Sequence, residues 1–106
     1  MEYAQRVATS NSGGEVFLLD DDRLVLGIGP ILMPMTHRSL TGLANALFGL
    51  AKEPERFRHQ SRIFVSCGRL TLRLTHQEFQ DLLSLVGQTL TWLEARPMLR
   101  GEDPVH

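Results

Sequence analysis

Residues 23–47, RLVLGIGPILMPMTHRSLTGLANAL, decide the fold, because a shift of 39 positions lays them without a gap over residues 62–86, RIFVSCGRLTLRLTHQEFQDLLSLV. Arg23, Gly29, Thr36, His37 and Leu43 fall on the identical residues Arg62, Gly68, Thr75, His76 and Leu82. Self-similarity at a fixed offset marks a repeated structural unit. In each copy a glycine-led pair, Gly29-Pro30 or Gly68-Arg69, separates two short apolar runs. Glycine supplies the positive φ required at the first central position of a type II′ turn, which suits the twist of a β-hairpin. Folding each hairpin about its pair sets Ile28, Leu26 and Leu24 opposite Ile31, Met33 and Met35. The second copy sets Cys67, Val65 and Ile63 opposite Leu70, Leu72 and Leu74. Since strand side chains alternate with period two, these twelve residues are expected on one inward face.

A helix is predicted directly after each hairpin. Thr36 and Thr75 are natural N-caps, and Thr75 with Glu78 forms a capping box, whereas Ser39 stands where the first copy would need its glutamate. Leu40, Leu43, Ala44, Leu47 and Leu50 recur at helical spacing, as do Phe79, Leu82, Leu83, Val86, Leu90 and Leu93. The second helix is expected to reach about Arg96 and stop at Pro97. A further strand is read at Glu15–Leu19, turning through Asp20–Asp22, and the repeat offset places its counterpart at Glu55–Arg58.

These elements predict an α+β domain built from a tandem duplicated β-β-β-α unit. Repeat 1 spans residues 15–52 and repeat 2 residues 54–96, within a single domain at 15–97. Two helices pack on one face of a joint antiparallel sheet with an internal pseudo-two-fold, since neither unit can bury its apolar face by itself. Residues 1–14 and 98–106 are expected to be flexible.

Composition is consistent with a globular core. The chain has 106 residues, of which 42% are hydrophobic, and its single cysteine excludes an internal disulfide framework or a four-cysteine zinc site. No charged-then-apolar leader opens it and no apolar run approaches membrane-spanning length, so the expected compartment is the cytoplasm, with no membrane partner. The formal net charge of −1 hides an asymmetry: residues 1–55 hold four basic and seven acidic residues, and residues 56–106 seven arginines and five acids.

The stretch Gly68–Leu83, GRLTLRLTHQEFQDLL, resembles small bacterial proteins built on a glycine, an alternating strand, threonine or serine, and then Glu-Phe with leucines. The repeated sheet-plus-helix pattern is loosely similar to the PUR and Whirly families, which carry four strands per repeat. That resemblance implies binding of single-stranded nucleic acid.

The chemistry-bearing residues give little to an enzyme. His37 and His76 occupy equivalent positions, yet no HxH, HExxH or Cys/His cluster accompanies them, so no metal or other cofactor is expected. Cys67 is read as a small core side chain and Met33 and Met35 as core fillers. Gly27-Ile28-Gly29 continues into Pro30 and lacks the later glycine of a dinucleotide loop, and Asp20–Asp22 lacks the alternating ligands of a calcium loop. The outward sheet positions are more informative. In the first copy Val25, Leu32 and Pro34, with Phe64 from the second, form an apolar oligomer or partner face of the kind solvent disfavours. In the second copy Arg58, Arg62, Arg69 and Arg73 surround Phe64, a pattern that could track phosphates while the ring stacks on a base. A non-enzymatic interaction domain, most simply a homodimer, is therefore the expected function, with another protein partner or a nucleic acid as alternatives.

Overall fold

The computed structural model describes residues 4–19 and 23–99. It holds six strands and two long helices in the order β1 (Ala4–Thr9), β2 (Glu15–Leu19), β3 (Leu24–Ile28), β4 (Ile31–Met35), α1 (His37–Ala51), a 3-10 turn (Pro54–Arg56), β5 (Ile63–Cys67), β6 (Leu70–Leu74) and α2 (His76–Leu99). The fold is α+β. Strands β1-β2-β3-β4 form one antiparallel sheet and β5-β6 a second, separate one.

Both hairpins have the register expected of them. Leu24, Leu26 and Ile28 lie opposite Met35, Met33 and Ile31, and Ile63, Val65 and Cys67 opposite Leu74, Leu72 and Leu70. The turns bend where positive φ is available, at Gly29 (56°) and Gly68 (62°). Proline cannot adopt positive φ, so Pro30 excludes a type I′ turn and leaves the II′ geometry. The inner face of the larger sheet reads Ala8, Val16, Leu26 and Met33 in a row across its four strands. Inward packing is incomplete at the tip, where Ile31 is 54% exposed.

The helices begin as their caps require. Thr36 Oγ1 accepts the Ser39 N–H at 3.0 Å. At α2 the box closes in both directions: Thr75 Oγ1 accepts the Glu78 N–H at 3.0 Å, and Glu78 Oε1 accepts the Thr75 N–H at 2.8 Å. The helices pack on each other and cross between the sheets, α1 against β5 and α2 against β1, β2 and β6. Leu43, Leu47, Leu82, Leu85 and Val86 are fully buried in the single core that results.

Four expectations need correction. Residues 4–9 form a strand instead of belonging to a flexible N-terminus. Its edge is tied to α2 by Gln88, whose Nε2 donates to the Thr9 carbonyl at 2.8 Å while its Oε1 accepts the Thr9 N–H at 3.3 Å. A strand at Glu55–Arg58 does not form. Pro54 instead starts a 3-10 turn with the first-turn acid Glu55, so the segments before the two hairpins differ: two strands in the first half, none in the second. The sheets do not join, because β4 and β6 each pair on one side only. Finally, α2 continues past Arg96 to Leu99: proline's fixed φ is itself helical, so the chain keeps the helical path although Pro97 has no N–H to donate to the carbonyl four residues earlier. The turn expected through Asp20–Asp22 and the tail at residues 100–106 lie outside the described residues.

Candidate interaction surfaces

The outward side of the larger sheet follows from the same register that fills its core. Arg6, Phe17, Val25 and Pro34 stand in one row across β1 to β4, and Glu15, Gly27 and Leu32 in the next. Leu32 is 72% exposed and lies over Gly27, where an added Cβ would come within 3.2 Å of its Cδ2. Pro34 is exposed, and Val25 and Phe17 are half-buried. An ion pair between Arg6 and Glu15 at 3.1 Å borders this apolar surface on the β1 side. Three of the residues expected at the partner face, Val25, Leu32 and Pro34, are therefore brought together. Phe17 belongs with them and went unnoticed in the sequence; its signal was the alternation of Val16 and Leu18, which leaves Phe17 pointing the other way.

The fourth, Phe64, is on the other sheet. It lies opposite Arg73 and is 59% exposed, with Ser66 opposite Thr71 in the next pair. Gln60, Ser61, Arg62, Phe64 and Arg73 line a shallow depression there. Of the arginines expected beside Phe64, Arg58 is paired with Glu55; Arg56, outside that set, pairs with Glu53 at 2.9 Å, so this flank is neutralised locally. Arg62 Nη1 donates to the Ser61 carbonyl at 3.1 Å. Arg69 and Arg73 make no ion pair among the described residues. Arg62 and Arg73 share the depression with the aromatic ring, whereas Arg69 lies in the hairpin turn and does not line it.

The remaining polar groups are absorbed into structure. The His76 ring approaches the Gln60 carbonyl at 2.7 Å and leans on Phe57, with ring centres 6.0 Å apart, while His37 shares neither neighbour. The Cys67 thiol is half-buried and points to the Ser39 carbonyl at 3.8 Å. Asp81, which the sequence reading passed over, is buried and accepts from Gln77 Nε2 at 3.2 Å. Among the described residues no three His, Cys, Asp or Glu side chains converge, and no helix is long and apolar enough to cross a membrane.

Comparison with known proteins adds no further anchor: no family model, curated protein or solved structure matches the chain.

Proposed function

We propose that this protein is a non-enzymatic interaction domain that self-associates through the outer face of its four-stranded sheet. The observation that carries this reading is Leu32, a large aliphatic residue 72% exposed on the edge strand β4 and continuous with Val25, Pro34 and Phe17. Contiguous apolar surface rimmed by charge is the usual composition of an interface centre. A two-fold dimer sets the same patch against itself, so burial of the aliphatic centre supplies affinity and the Arg6–Glu15 rim sets orientation. Light scattering of the unmodified protein and of Leu32→Asp, with circular dichroism as a check on folding, tests it. A dimer that becomes a folded monomer is expected, and equal masses for the two proteins would refute the choice of face.

A second reading rests on a separate observation, the exposed Phe64 ring between Arg62 and Arg73. That arrangement supports contact with single-stranded nucleic acid, the ring stacking on a base and the guanidinium groups on phosphates. The pairing of Arg58 with Glu55 weighs against it, as does the near-zero net charge.

We also read the chain as a duplicated hairpin–helix unit, shorter than the three-strand repeat. Its support is the constant offset of 39 residues between β3 and β5, β4 and β6, and the starts of α1 and α2. Superposed hairpins that leave their helices on opposite sides would contradict this.

A further inference from the structure

Whether a strand edge is open or closed depends on which backbone groups point away from its partner. In a two-residue hairpin the pair next to the turn exchanges both N–H···O bonds, and successive pairs alternate between bonded and non-bonded. Met33 therefore bonds to β3, while the backbone of Leu32 and Pro34 points outward from the free edge of β4. Pro34 has no N–H to offer there, so the β4 edge lacks one of its outward donors at no cost to its own hairpin. Shifting by 39 residues from Pro34 reaches Arg73 in β6. Here the outward backbone groups belong to Thr71 and Arg73, and all four N–H and C=O groups lack a backbone partner among the described residues.

This open edge borders a cavity. Thr71, Leu72, Arg73 and Leu74 all line it; since consecutive side chains alternate between faces, a space touching four in a row must run along the strand's edge. Its other wall is the inner face of the β3–β4 hairpin, with Ile28, Ile31 and Met33, and Leu82 of α2 is at its floor. The cavity has a volume of about 310 Å3. Unpaired main-chain donors and acceptors beside aliphatic walls are what an added strand requires. Arg73 lines the cavity without an ion-pair partner among the described residues and favours a partner carrying acids on its side, while Glu78, which also lines the cavity, is held by the Thr75 N–H.

We propose that the free edge of β6 receives an extended segment of a partner polypeptide, alternating aliphatic residues turned toward Leu72 and Leu82 with acidic residues turned toward Arg73. The segment would pair through the backbone of Thr71 and Arg73. A second copy of the chain fits less well, because its β6 would bring β5 behind it against the β3–β4 hairpin that forms the other wall. The inference uses a different surface from the outer face of the larger sheet and stands independently of self-association there.

The test is selection of random heptapeptides displayed on phage against the folded protein, followed by binding of the enriched peptides, made synthetically, to three proteins. Arg73→Pro copies Pro34 and removes the edge donor without touching a β5 bond, and Arg73→Gln keeps the donor but removes the charge. Alternating aliphatic–acidic peptides are expected, with slowed hydrogen exchange at the Thr71 and Arg73 amides on binding. Arg73→Pro should weaken binding by about tenfold or more, and Arg73→Gln by less than about fivefold, with unchanged circular dichroism. No enriched peptide, or peptides that bind Arg73→Pro as well as the unmodified protein, would overturn the proposal. Protection of the two amides without peptide, in a dimer that Arg73→Pro dissociates, would overturn the choice of occupant by identifying it as a second copy.

Discussion

Leu32 and Leu26 belong to adjacent strands of one hairpin but point to opposite faces, so replacing them should have unequal consequences for the folded monomer. Full burial of a leucine side chain is worth about 1.5–3 kcal/mol. Leu32 is 72% exposed, so about a quarter of that, near 0.4–0.8 kcal/mol, is at stake in the monomer. Adding the poor strand preference of aspartate brings Leu32→Asp to about 1 kcal/mol. Leu26 is 2% exposed, packed in the core, and Leu26→Ala should cost about 2–5 kcal/mol. Urea denaturation with a slope of about 1.5 kcal/mol/M translates these into midpoint shifts of about 0.7 M and about 1.3–3.3 M. The measurement belongs at low protein concentration, where dimerisation adds nothing to apparent stability. At high concentration Leu32→Asp acts differently: it removes about 1–2 kcal/mol of apolar burial from each protomer, and two-fold symmetry doubles the loss. The dimer dissociation constant should then rise by about 30-fold to about 1000-fold. Equal destabilisation by the two substitutions in dilute solution would show that the outward face has been misassigned.

Three further outcomes follow from particular contacts. Thr75→Ala and Thr36→Ala each remove one side-chain cap and should cost about 0.5–2 kcal/mol in thermal or urea unfolding, while Glu78→Ala removes the reciprocal bond to the Thr75 N–H and should cost about 0.5–1.5 kcal/mol; no cost for Glu78→Ala would deny the reciprocal bond any weight. Gln88→Ala removes both bonds to the Thr9 backbone and should lower stability by about 1 kcal/mol while raising hydrogen exchange in Ala4–Thr9 above that in β3, and unchanged exchange there would mean that β1 holds without it. Titration with labelled single-stranded oligonucleotides at low salt should give no binding at tens of micromolar; binding that falls steeply with salt and is lost on Phe64→Ala would favour the nucleic-acid reading instead.

What could be read from the sequence was local. Gly29 and Gly68 pin their turns, and strict alternation then sets every cross-strand pair, so both hairpin registers follow from the residues themselves. Thr36 and Thr75 start the helices for equally local reasons. The elements that escaped are those held by distant partners. Ala4–Thr9 contributes little more than Ala8 to the core, and its strand depends on β2 and on Gln88, 79 residues away. The missing strand before β5 came from carrying the repeat too far, past Pro54, whose ring favours the first turn of a helix over a sheet. The expected joint sheet rests on the repeat and not on local pattern, and the register itself places Pro34 where an outward N–H of β4 would be needed. The site followed the same division: Val25, Leu32 and Pro34 share a face by parity within one hairpin, whereas the grouping of Phe64 with them required contact between two sheets that remain separate.

The central claim, that the apolar outer face is an interface between two copies, is tested most directly by sedimentation equilibrium of the unmodified protein over a wide concentration range. The chain weighs 11.9 kDa, and self-association should raise the measured mass with concentration to twice that value. A mass that stays at 11.9 kDa at every concentration would contradict it.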